Sequence, residues 1–133
     1  MRKTMIEIAV HQKTEWGNIF TLKNRHGLRI KWNGREFVVP RQFQSDGCSV
    51  PRLLWRLVSP QIHPKTLRAA IGHDYIYRVH LVGWTRAEAD KMFYELMVED
   101  GMARFSAWIA YKGVRIFGGY SWNESYARYR EGR

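Results

Sequence analysis

Asp46-Gly47-Cys48-Ser49, His73-Asp74 and Asp90 are the residues whose types and spacing can do chemistry in this chain. They set carboxylates and an imidazole around an expected helical hairpin, the composition of a small hydrolytic or metal-binding site. The His73-Asp74 pair lies in a run that is otherwise apolar or aromatic, with Ala69, Ala70 and Ile71 before it and Tyr75, Ile76 and Tyr77 after it. Charge buried in such a run is costly unless it is paired or coordinated.

The spacing assigns a role to each group. A turn at Gly83 folds two helices back on each other, so His73 and Asp90 come to about the same height, given a rise of about 1.5 Å per residue on each arm. A carboxylate there can accept the Nδ1 proton of His73, fix its tautomer and leave the other nitrogen to act as a base. His73 and Asp90 are therefore the candidate catalytic pair. Asp74 points about a quarter-turn away and is placed to ligate a hard cation. Asp46 and the backbone at Gly47 could add oxygen ligands, a set that suits calcium.

A plainer reading stands beside this one. A His-Asp pair can be a hydrogen-bonding network inside a helix pair, Asp46 a turn residue before Gly47, and Ser49 a helix cap. Cys48 could be a nucleophile, but a lone cysteine also serves as a small buried hydrophobe. His11, His26, His63 and His80 lack ligand spacing. No CxxC, HExxH, Walker or GxSxG pattern occurs.

The elements that must hold these residues change character near Pro51. Before it, Met5–Val10, Asn18–Leu22, Leu28–Trp32 and Glu36–Val39 read as strands, and Asn33-Gly34 marks a two-residue hairpin turn. After it, the spacing predicts a short helix from Pro51 through Leu57, a helix from Pro64 to about Val82 ended by Gly83, and a helix from Arg86 to about Glu99 capped by Thr85 and Glu88. A last helix is expected from Ala103 to Phe117, broken by Gly118-Gly119. The expected class is α+β, with N-terminal antiparallel hairpins or a meander followed by three or four helices. One domain is expected over residues 1–133: a strand-rich half at 1–45, a helical half at 49–120 and a basic, aromatic tail at 121–133.

Composition bounds the function. Aromatics make up 14% and hydrophobics 45% of the 133 residues, too many for a disordered chain. With one cysteine, no intrachain disulfide forms. The N-terminus lacks the apolar run of a signal peptide, and the apolar stretches are broken by charge or glycine, so no transmembrane segment is expected. The net charge of +10 suits an acidic partner protein or anionic lipid. It is scattered and accompanied by no groove-reading motif, so nucleic acid is not the expected partner.

Phe37-Val38-Val39-Pro40, Ser45-Asp46-Gly47-Cys48-Ser49-Val50-Pro51-Arg52, His73-Asp74-Tyr75, Tyr77 and Ala89-Asp90 resemble the motifs of a family of short phage and prophage proteins of unknown function. The resemblance covers roughly residues 35–118. It implies a bacteriophage origin, synthesis in the host cytoplasm and association with phage structural proteins as one option. It supplies no activity.

A second resemblance is to small bacterial and fungal secreted phospholipases of the A-2 type, through Asp46-Gly47-Cys48-Ser49, His73-Asp74 and the returning Asp90. It implies that His73 activates a water, Asp90 orients His73, and Asp74 with the Asp46-Gly47 loop binds calcium. Those enzymes pin their calcium loop with disulfides, which Cys48 alone cannot make, and they lack a strand-rich first half. Two functions follow as expectations. One is a calcium-type hydrolase of esters or phospholipids at the host envelope. The other is a non-catalytic tail or baseplate component in which the same residues are structural.

Overall fold

The computed structural model describes residues 5–14, 17–45 and 64–130. The expected helix beginning at Pro51, and the Asp46-Gly47-Cys48-Ser49 segment, lie outside the described residues.

The architecture is α+β. Strand β1 (Ile8–Thr14) pairs antiparallel with β2 (Gly17–Leu22), and the register shifts at a bulge between Val10 and Gln12. The first strand thus starts and ends later in the chain than the expected Met5–Val10. β3 (Leu28–Trp32) and β4 (Arg35–Val39) form the second hairpin, in register from Leu28↔Val39 to Trp32↔Arg35. Its turn residues have φ 51° at Asn33 and 74° at Gly34, the two positive angles of a type I′ turn. A short β5 (Gln44–Ser45), which the sequence pattern does not announce, joins the far edge of β2.

Three helices follow: α1 (Pro64–Val79), α2 (Arg86–Glu99) and α3 (Arg104–Arg130). α1 stops before Gly83. His80 takes φ 47° and the Leu81 N–H returns to the Ile76 carbonyl at 3.4 Å, a Schellman-type closure with histidine where glycine is usual. α2 opens on the expected capping box, with Glu88 N–H donating to Thr85 Oγ1 at 3.1 Å and Thr85 N–H donating to Glu88 Oε1 at 3.0 Å. Gly101, at φ 103°, closes it.

The core lies where the β3–β4 hairpin meets the α1–α2 pair. Leu28, Ile30, Phe37 and Val39 on the strands pack with Ile71, Ile76, Met92, Phe93 and Leu96. Gly72 marks the closest approach, because a Cβ there would lie 2.5 Å from Ile30 Cδ1 and 3.3 Å from Met92 Cε. Arg35 ties the hairpin to the interhelical turn, with its guanidinium 3.8 Å from the Trp84 ring centroid and Nη1 2.8 Å from Glu88 Oε2. At the other end of the helix pair, Arg68 donates two bonds of 3.0 Å to Asp100.

α3 overturns one expectation. It runs unbroken through Gly118-Gly119 to Arg130, taking residues 121–130 of the expected tail into the helix. Gly118 is there for packing: a Cβ on it would sit 2.9 Å from Tyr77 Oη and 3.4 Å from Arg86 Nη2, whereas one on Gly119 would meet nothing nearer than 3.7 Å. Loss of helix propensity, about 1 kcal/mol per glycine relative to alanine, is offset by letting α3 pass close to α1 and α2.

Candidate active site

His73 and Asp90 face each other across the α1–α2 hairpin. His73 Nε2 is 2.7 Å from Asp90 Oδ1, and the two side chains are 2% and 0% exposed. The pairing is the expected one, but the nitrogen is not. Nε2 is the ring atom farther from the backbone, and only it spans the gap between helices whose axes typically lie 8–10 Å apart. Since Asp90 is an acceptor, Nε2 donates to it, and Nδ1 is the ring nitrogen that Asp90 leaves open. Among the described residues Nδ1 takes no hydrogen bond. The ring is held between Tyr77 and Phe93, with centroids at 4.2 and 4.8 Å.

Asp90, on α2, gathers donors from α1 and α3 and has a further cation, Arg86, on its own helix. Tyr77, one turn beyond His73, donates to Oδ1 at 2.6 Å, and Arg115 Nη1 reaches in from α3 to Oδ2 at 2.7 Å. Arg86, one turn before Asp90, has Nε 4.0 Å from Oδ2 and donates to Tyr77 Oη at 3.1 Å. Its Nη2 donates to the Val114 and Arg115 carbonyls at 2.8 and 2.7 Å, which clamps α2 to α3.

The electrostatics follow from that arrangement. Burial alone would push the Asp90 carboxyl up, but the hydrogen bonds from His73, Tyr77 and Arg115 and the charge at His73 outweigh it and hold Asp90 below the ordinary carboxylate value. Burial, then the Asp90 carboxylate, pushes the Tyr77 phenol well up, so it remains an O–H donor. Asp90 raises the Arg115 guanidinium, which stays charged. The network thus presents a fixed anion behind an oriented imidazole, the arrangement that readies a histidine for general-base work.

Asp74 lies on the same helix, 8% exposed, with Oδ1 3.4 Å from Arg78 Nε. Asp46 and Gly47, its expected partners around a cation, lie outside the described residues. Among the described residues no group of three or more His, Cys, Asp or Glu side chains is placed to hold a metal ion. Tyr75 stacks on Phe37 and meets Phe43 edge-on, with centroids 6.1 and 5.3 Å away, on the strand side of α1.

Sequence reasoning missed both arginines. Arg86 had a signal, its four-residue spacing from Asp90 on a capped helix. Arg115 had none, since only the packing of α3 brings it to a carboxylate 25 residues away.

The family described as "Protein of unknown function (DUF1353)" matches residues 20–114, and the chain belongs to it. A relative in Sinorhizobium fredii, described as "Uncharacterized protein y4iH", is 29% identical over 89 residues. That match covers 67% of this chain and 36% of the relative, so the chain spans well under half the relative's length. No solved structure matches the chain. Among the described residues no helix is long and apolar enough to cross a membrane.

Proposed function

We propose that this chain is a phage-encoded ester hydrolase, of the layout of A-2 type phospholipases, acting on phospholipid or a related ester at the host envelope. The observation that supports it most is the His73 Nε2–Asp90 Oδ1 contact of 2.7 Å, backed by Tyr77 and Arg115. It leaves Nδ1 as the basic atom. In the reaction His73 Nδ1 takes a proton from water, and the water oxygen bonds to the ester carbonyl carbon. The ester C–O bond then breaks, and Nδ1 returns the proton to the departing alkoxide, giving a carboxylic acid and an alcohol. Asp90 stays ionised throughout and steadies the imidazolium that forms between the two proton transfers. Asp74, with Asp46 and the Gly47 backbone, would hold calcium, whose charge would polarise the carbonyl.

The test is release of fatty acid from mixed phospholipid vesicles by the full chain, with calcium and with chelator. Calcium-dependent release that Asp74→Asn abolishes supports the reading. No release from diacyl lipids or simple esters under either condition contradicts it.

A second reading rests on a different observation. His73 and Asp90 are 2% and 0% exposed, and Asp90 ties three helices together. In a tail or baseplate component the same network would serve as a rigid polar clamp within the helical half, with no turnover.

A further inference from the structure

The outer face of α3 carries a stripe that the fold leaves uncovered. Phe105 is 69% exposed, Trp108 47% and Ile116 70%, and Lys112 lies between them, exposed. Steps of three and four residues put these side chains on one face of the helix. The opposite face, with Ala107, Ala110 and Val114, is buried against the other helices. From Phe105 to Ile116 the stripe runs about 16 Å at 1.5 Å per residue.

The chemistry of the stripe is specific in sign. Lys112 Nζ lies 5.5 Å from the Trp108 ring centroid and 5.9 Å from that of Tyr111, so the cation sits among aromatic rings. Arg104 is exposed at the start of the helix. From Arg104 to Asn123, α3 contains no acidic residue, and the whole chain carries +10. Contiguous exposed apolar side chains mark an interaction surface. Aromatic and aliphatic groups interleaved with cations, on a helix with a buried opposite face, match the interface of an anionic bilayer, where the rings enter the headgroup boundary and the cations meet lipid phosphate.

We infer that the exposed face of α3, centred on Phe105, Trp108, Lys112 and Ile116, is a docking surface for anionic phospholipid membranes. The helix would lie along the membrane plane with its apolar stripe inserted and Lys112 and Arg104 at headgroup level. This surface is separate from the His73–Asp90 network, so it stands whether or not the chain is a hydrolase.

The experiment is co-sedimentation of the full chain with vesicles of ether-linked lipids, which present headgroups but no ester to cleave. One set is half phosphatidylglycerol and half phosphatidylcholine; the other is phosphatidylcholine alone. The parent chain should bind the anionic set, and added salt should weaken the binding. The double variant Phe105→Ser/Ile116→Ser should bind about tenfold or more weakly, and Lys112→Glu should lose most of the preference for anionic lipid. All these positions are exposed, so an unchanged melting temperature would show the variants folded; Lys112→Glu alone serves if the double variant melts early. His73→Gln should bind as the parent does, which separates this surface from the proposed reaction. Absence of binding to anionic vesicles, or equal binding by the variants, overturns the inference. So does a dimer in sedimentation velocity that the double variant dissolves, because the stripe would then be a contact between two copies of the chain.

Discussion

Arg115 Nη1 and Asp90 Oδ2 meet at 2.7 Å across the α2–α3 interface, so the anion behind His73 is set by the third helix as well as by the hairpin that carries the pair. Docking of α3 is therefore part of the site's construction. Replacing Arg115 with Met removes the cation and leaves Asp90 fully buried with His73 and Tyr77 as its close donors. The side chain of Arg115 is about one-third exposed, so the loss is smaller than for a dry pair, on the order of 1–2 kcal/mol. Chemical denaturation of the variant beside the parent measures it.

Acid should unfold the parent partly through Asp90. Its folded-state value lies below the ordinary carboxylate value, so its stabilising contribution is complete above that ordinary value, near pH 4. The contribution is lost as pH falls through the depressed folded value. Asp90→Asn should lower the melting temperature at pH 7 and flatten its decline below about pH 4. Melting curves collected between pH 7 and pH 2 read both effects, and parallel pH profiles for parent and variant would contradict the assignment.

The paired glycines of α3 should respond in opposite directions. A Cβ on Gly118 meets Tyr77 Oη at 2.9 Å, whereas the nearest atoms to one on Gly119 belong to the Arg86 guanidinium, at 3.7 Å and beyond. Gly118→Ala should cost about 1–3 kcal/mol, as overpacking does. Gly119→Ala should be neutral or stabilise by up to about 1 kcal/mol through helix propensity. Thermal melts of the two variants make the comparison.

Those glycines also show where sequence and structure part. Gly118-Gly119 reads as a helix breaker because glycine is a poor helix former, yet tertiary packing overrides that preference when a neighbouring helix carries Tyr77 and Arg86 at that level. Local signals with one dominant cause were legible. Asn33-Gly34 marked the β3–β4 turn, and Thr85 with Glu88 and Gly101 marked both ends of α2. The end of α1 was read too late, since His80 takes the left-handed conformation in place of Gly83. The pairing of His73 with Asp90 followed from rise per residue alone. Its nitrogen did not, because which ring atom reaches across depends on interhelical distance, and Arg115 was invisible because no local pattern links α3 to Asp90.

Calcium should raise the melting temperature if the ion binds the folded chain only, by an amount that grows with the logarithm of its concentration above the dissociation constant. Asp74→Asn should remove the rise, while Asp90→Asn, whose carboxylate is occupied by His73, Tyr77 and Arg115, should leave it in place. Identical melts in calcium and in chelator would remove the cation from the proposed site.

The most direct measurement is ester hydrolysis and thermal melting of His73→Gln beside the parent on the same samples. Glutamine keeps much of the volume and an amide N–H for Asp90, but it has no basic nitrogen. The predicted result is a parent that turns over and a variant slowed about a hundredfold or more, with a melting temperature within a few degrees of the parent. A clear drop in melting temperature, with no turnover by either protein, would contradict the hydrolase and leave the His73–Asp90 pair as a structural clamp.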